Sequence, residues 1–260
     1  MKTYLIKIPQ SNTKTSAAAF EDVFSQLHET LRGEKISFEL LATGQNIAFC
    51  FTAGEASAEV VSGQVYALAP DADILEISDF SKKLGKNAKF VSAELGLIRN
   101  DLFPLKNYRE FEGDSLSGLL SVLSKCIPGE MVFVQVVIRA VKDSGVHHLR
   151  LNTRKKLDRF RHMFRTKYWF KRGLRKSIVE RINEKTAGRL FRCNIRVATV
   201  STDARIDPAV RLQAMIGAMS NYNTLDFNQI KVQRVRRAVD LPRFQQRQLS
   251  GGFLLSTKEL

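Results

Sequence analysis

One phrase constrains this chain more than any other. "SGLLSVLSKCIPGEMVFVQVVIRA", Ser117 to Ala140, reads as a helix, a Pro-Gly break and a strand that is apolar at nearly every position. A strand of that kind belongs inside a sheet, with both faces covered. The same succession of helix, break and buried strand recurs, and the recurrence sets the architecture.

In the first half, "TYLIKIP" is a strand ended by Pro9. Between Ser16 and Arg32, Phe20, Val23, Phe24, Leu27 and Leu31 fall at i, i+3, i+4, i+7 and i+11, an amphipathic helix stopped by Gly33. "KISFELLATGQNIAFCFTAG" gives two strands around a hairpin at Thr43-Gly44-Gln45-Asn46. "EASAEVVSGQVYALAP" is a second helix closed by Pro70, and "ADILEISDF" a fourth strand. In the second half, Ala88 to Ile98 is a strand, Asp114 a good N-cap for the helix "SLSGLLSVLSKCI", and "EMVFVQVVIRAV" a strand. Strand "LFRCNIRVATVS", helix "DPAVRLQAMIGAMSNY" with Asp207 as N-cap and Pro208 at its first position, and strand "NQIKVQRVR" complete it.

Both halves therefore read βαββαβ. Where the first turns its hairpin in about four residues, the second carries an insertion between Val141 and Arg189. The order predicts an α+β fold of two tandem ferredoxin-like sandwiches, each an antiparallel sheet with two helices on one face. The expected divisions are residues 1–82 and 83–240, the insertion occupying about 143–188, with 241–260 a linker and short strand leading toward an absent C-terminal domain. The alternative is one mixed α+β domain in which the likeness of the halves is coincidental.

Charge separates the insertion from the rest. The chain has a formal net charge of +15. Arg150 to Arg189 hold fifteen Lys/Arg against Asp158, Glu180 and Glu184, a local net of +12, which leaves +3 for the other 220 residues. One segment carries the positive field. Elsewhere the composition excludes more than it suggests. There is no run of 18 apolar residues and no secretory signal, so a cytoplasmic location is expected, peripheral at the inner face of the membrane if the insertion meets lipid. Cys50, Cys126 and Cys193 stand apart in apolar surroundings without CxxC spacing and are expected as buried thiols.

Several stretches resemble the N-terminal, non-motor region of conjugation and type IV secretion ATPases with a HerA/FtsK-like motor. They are "ISFELLATGQNIAFCF", "VSGQVYALAPDADILEISDF", "FPLKNYREFEGDSLSGLLSVLSKCIPGEMVFVQVVIRA", "FRCNIRVATVS" and "IGAMSNYNTLDFNQIKV". Tyr66, Pro70, Asp71, Ile74, Phe80, Glu130, Gln135, Arg139, Asn223 and Asn228 hold the matching places. The resemblance spans nearly the whole chain, but its residues are those of core and turns. It implies a non-catalytic assembly and interaction region, with a homo-oligomeric ring or an ATPase motor domain as partner. The chain has no G-x-x-x-x-G-K-[S/T]; "KKLGKNAKF" offers Gly85-Lys86 without the first glycine or the hydroxyl, so no ATPase activity and no cofactor are expected of it.

The candidate binding residues lie on the insertion: Arg154, Lys155, Lys156, Arg159, Arg161, Arg165, Lys171, Arg172, Arg175 and Lys176, around a stripe of Leu157, Phe160, Phe164 and Trp169. Such a segment forms one or two helices, with Gly173 as a break. It suits DNA phosphates through counterion release or an anionic membrane surface through aromatics and basic side chains; a solvated hairpin packed on its own sheet is the plainer reading. Metal binding by His147-His148 lacks a third ligand, and no nucleophile elbow accompanies His28 or His162. A free-standing nucleic-acid-binding protein with an RRM-like core is the rival function. "NIAFCFTAG" supplies Phe49 and Phe51 but not the Gly-Phe pattern that base stacking on such a sheet uses.

Overall fold

The structure, a computed structural model, describes residues 1–9, 17–31, 33–84, 88–142, 172–237 and 241–260. Its elements in chain order are β1 (Lys2–Lys7), α1 (Ala17–Thr30), β2 (Lys35–Thr43), β3 (Asn46–Ala53), α2 (Glu55–Leu68), β4 (Asp73–Ile77), β5 (Lys89–Leu97), α3 (Ser117–Leu123), β6 (Glu130–Ala140), α4 (Arg172–Ala187), β7 (Leu190–Ser201), α5 (Pro208–Met219), β8 (Ile230–Arg237), α6 (Leu241–Gln245) and β9 (Phe253–Ser256). The fold is mixed α+β, built on a nine-stranded antiparallel sheet.

Local chemistry accounts for most element ends. Thr43 pairs with Asn46 across a tight turn in which Gly44 has φ +56, a value an L side chain adopts poorly. Asp207 accepts a hydrogen bond from the Ala209 amide at 2.9 Å and Pro208 opens α5. Asp114 behaves differently from the expected N-cap. Its carboxylate accepts from Leu116 and its carbonyl from Ser117, closing a turn that delays α3 to Ser117.

The sheet runs β4-β1-β3-β2-β6-β7-β5-β8, with β9 beside β7. Two separate sandwiches would end at β2 and β6. Instead these strands pair antiparallel from Lys35↔Arg139 to Thr43↔Met131 and join the halves into one sheet. Strand order inside each half is the same read outward-in, β4-β1-β3-β2 and β8-β5-β7-β6.

One face carries the four longer-range packing helices. Val23, Leu27 and Leu31 from α1 and its end, Ala58 and Val61 from α2, Leu119 and Leu123 from α3, and Leu212, Met215 and Met219 from α5 share a single cluster with Ile36, Phe51, Val134, Ile138 and Phe191 of the sheet. The cluster crosses the seam, so neither half owns a private core. Phe20, expected on the buried stripe of α1, is 45% exposed. The other face holds a smaller cluster of Leu41, Phe90, Phe133, Ala198 and Val200 under Phe244 of α6. Phe244 meets Phe133 and Phe90 edge-on, with ring centroids 5.4 and 5.9 Å away. This double cover explains why β6 and β7 are apolar on both faces.

The tail from 241 to 260, expected to lead outward, lies on the body. β9 pairs Leu190–Cys193 with Phe253–Ser256, on the edge of β7 that β5 takes up further along. Gly252 makes this approach possible: its φ is +73, and a Cβ there would run into the Cys193 carbonyl.

Ile36 and Ile138 face each other across the seam, and both are wholly buried. Ile138→Ala is expected to cost about 2–5 kcal/mol. Because the core is shared, urea unfolding followed by circular dichroism and by the reactivity of the buried thiols Cys50 and Cys193, one in each half, is expected to stay one coincident transition.

Candidate polyanion interface

The basic insertion leaves the sheet between β6 and β7, and its neck is pinned. Past the last ladder pair, Ala140↔Phe191, the Val141 amide donates to the Leu190 carbonyl at 3.0 Å. His28 of α1 approaches the Val141 carbonyl through Nε2 at 3.1 Å, and its ring meets Phe191 edge-on. A histidine donating there is a satisfied packing residue.

The returning limb, α4, is rooted by its last turns. Ile182 is buried, and the Thr186 hydroxyl donates to the Ile182 carbonyl at 2.9 Å. Lys185 and Glu259 form an ion pair at 3.0 Å with both side chains only 2% exposed. Glu259 is held in turn by the Leu105 amide at 2.7 Å and by the Ser256 amide and hydroxyl, both at 2.8 Å. Arg181 pairs with Glu110 and lies over the Phe227 ring, Lys258 pairs with Glu184, and Arg189 pairs with Glu29. The Arg189 guanidinium holds the exposed Glu29 carboxyl below its ordinary value.

The root and the far part of the arm thus differ in what their charges do. Arg181, Lys185 and Arg189 are matched by carboxylates of the body. Arg150 to Lys176 carry twelve Lys/Arg against the single acid Asp158, +11 in 27 residues. Among the expected binding residues, Arg172, Arg175 and Lys176 fall on α4. Arg154, Lys155, Lys156, Arg159, Arg161, Arg165 and Lys171 lie outside the described residues, as do the Leu157–Trp169 stripe, His147-His148, His162 and Gly85-Lys86. Gly173, expected as a break, sits in the first turn of α4.

Sequence reasoning missed a second charged assembly. Across the face opposite the helices, one register row joins Cys50, Glu39, Gln135, Arg196 and Glu94 on five successive strands. Gln135 donates to Glu39 at 3.1 Å and accepts from Arg196 at 3.2 Å, while Asn194 donates to Glu94 at 3.0 Å. Residues 244–250 close over this row. Arg247, 3% exposed and at φ +48, forks onto both Glu39 oxygens at 2.8 and 3.0 Å and onto Asp79. Gln135 also reaches the Phe244 carbonyl at 3.1 Å, and Arg196 the Gln248 carbonyl. Burial disfavours the charge on Arg247, but the hydrogen bonds it donates to Glu39 and Asp79 more than offset this and raise its pKa. Burial likewise pushes the Asp79 carboxyl up, yet Arg247 and Ser81 bring it below its ordinary value. A cavity of about 10 Å³ beside them, lined by Thr3, Glu39, Cys50, Asp79 and Phe133 among others, has room for about one water. The assembly is a structural clamp with its partners internally satisfied.

Two of the residues that carry the resemblance, Asn223 and Asn228, serve a turn and its packing. Asn228 is wholly buried, donating to the Asn100 and Phe103 carbonyls at 3.1 and 2.9 Å, and Asn223 accepts from Ile230 at 2.7 Å. The three cysteines are free and buried; burial pushes the Cys50 thiol to about 12 and raises Cys126 and Cys193 as well. Among the described residues, no cluster of His, Cys, Asp and Glu is arranged to hold a metal, and no helix is long and apolar enough to cross a membrane. In comparisons with known proteins, residues 9–250 match one family model, described as "Domain of unknown function (DUF8128)". No curated protein matches the chain.

Arg247→Ala would strand Glu39 and Asp79, and breaking such a buried pair is expected to cost about 3–5 kcal/mol. The pH dependence should change sign. In the native protein the depressed Asp79 pKa contributes stability above the unfolded value of about 3.9, lost as pH falls through the folded value. Without Arg247, burial is the largest influence left on the Asp79 carboxyl and raises it, so acidification below neutrality should stabilise the variant. Chemical denaturation at a series of pH values tests both statements.

Proposed function

The chain belongs to the DUF8128 family over nearly its whole length, and from that premise we propose that it is a non-catalytic assembly and interaction module that holds a cationic arm out to the phosphates of DNA. One observation carries this reading: +11 of the net +15 lies in the 27 residues from Arg150 to Lys176, while the three basic residues at the arm's root are already paired with body carboxylates. Charge held together on one connection, anchored at a pinned neck, gives a polyanion a target and leaves the sheet out of the contact.

The repeated strand order supports the finer architecture as well. Two ferredoxin-like βαββαβ sandwiches joined edge to edge through β2 and β6 would give this order with the helices on one face. That arrangement agrees with the resemblance to the non-motor region of HerA-type conjugation and type IV secretion ATPases, and with a cytoplasmic module. DNA is preferred to lipid because the resembling proteins translocate DNA. An RRM-like use of the sheet is disfavoured: of the two candidate stacking rings Phe51 is wholly buried in the cluster under the helices and only Phe49 is exposed, at 42%, while residues 244–250 lie over the middle of the other face.

Fluorescence anisotropy with a labelled duplex over a salt series tests the proposal. The logarithm of affinity is expected to fall linearly with the logarithm of salt, by about 0.9 per phosphate contact. Reversing Arg154, Lys155, Arg159 and Arg161 to Glu should weaken binding by about tenfold or more without changing the melting temperature. Unchanged affinity, or binding to anionic vesicles with none to the duplex, would refute it.

A further inference from the structure

The two outer edges of the sheet differ in charge. β4, "DILEI", carries Asp73 and Glu76 and no basic residue, and Asp71 precedes it. β8, "IKVQRVRR", carries four basic residues and no acid. Both strands pair on one side only among the described residues, β4 with β1 and β8 with β5. Each also exposes an apolar side chain, Leu75 at 45% and Val235 at 55%. The groups facing the acids of β4 are Lys2, which bridges Glu76 at 3.3 Å and Glu55 at 3.6 Å, and Lys7, opposite Asp73 in register. On the other side Arg234 stands opposite Glu94 and Lys231 opposite Gly96.

Geometry adds a second condition. The path from β4 to β8 has eight strands, each antiparallel to the next, so β4 and β8 run in opposite senses. A second copy in the same orientation would bring its β8 alongside β4 in antiparallel sense, with the helices of both copies on the same face. Pairing β4 with β4, or β8 with β8, can also be antiparallel, but it sets acid against acid or base against base. Like charges directly opposite destabilise a strand pair, and opposite charges stabilise it.

We infer that β4 and β8 are complementary halves of a self-association surface through which copies of this chain join head to tail by continuing the sheet. Each edge repels its own kind, the usual protection of an exposed edge, and accepts the other. Such a contact is heterologous: it closes into a ring or runs on as a filament according to the rotation between copies. The inference is independent of the arm and of what the arm binds.

Sedimentation velocity on nuclease-treated protein tests it. The native chain should form dimers or larger species at low salt, in proportion to concentration, and revert to monomer as salt rises. Asp73→Lys with Glu76→Lys, and separately Lys231→Glu with Arg234→Glu, should each remain monomeric with unchanged circular dichroism. Mixed in equal amounts, the two variants should associate again, because each reversed edge then meets a complementary one. A native chain that stays monomeric at low salt, variants that associate as the native chain does, or a mixture that fails to associate would overturn the inference. So would association that disappears on nuclease treatment, which would assign the contact to a bridging nucleic acid.

Discussion

The pairing of β2 with β6 is the constraint on which the other features depend. Taken alone, each half would end in an edge strand it could not afford: β6, "EMVFVQVVIRA", is long, flat in pattern and apolar on both faces, and an exposed edge of that kind recruits other chains. Joining the two along nine residue pairs, Lys35↔Arg139 to Thr43↔Met131, places both strands at the middle of the sheet. The strands left at the margins are β4 and β8, which carry the charges. The seam also fixes which residues look which way, putting Ile36 and Ile138 under the helices and Glu39 and Gln135 on the other face.

From that arrangement the two charged assemblies follow. A row of polar side chains across the middle of a sheet cannot remain buried without partners, since each unpaired group costs about 1–3 kcal/mol. Arg247, Phe244 and the carbonyls of residues 244–250 supply the partners. The buried Lys185–Glu259 pair does the same where α4 returns to the body. Both clamps use residues from the last twenty, so the tail ties the arm's root and the seam into one unit. The two ends of the basic segment are thereby tied to the body, at Val141 and at Lys185.

Periodicity made the elements legible. The i, i+3, i+4, i+7 spacing of α1, the Asp-Pro opening of α5 and the Gly44 hairpin are local statements that tertiary contacts did not override. The seam was not legible, because a strand apolar on both faces announces that it is buried without saying by what. The tail misled for a related reason. "LPRFQQRQLSGG" is polar and Gly-ended, which describes a linker, and the partners that order it, Glu39 and Asp79, lie 208 and 168 residues away from Arg247. A usable sign was present in Glu39 and Glu94, carboxylates set inside otherwise apolar strands, which needed a cation from elsewhere in the chain. The charge excess of the insertion was legible from composition, and the candidate residues already stopped at Lys176; that Arg181, Lys185 and Arg189 are matched by Glu110, Glu259 and Glu29 was visible only in the structure.

The central claim is that the arm, and not the sheet, meets the partner. Amide hydrogen exchange on the intact chain, with and without duplex DNA, reads this residue by residue. The account predicts new protection in peptides covering Arg150 to Lys176, with the sheet strands and residues 241–256 unchanged. Protection over β2, β6 and β7, with none in the arm, would contradict it.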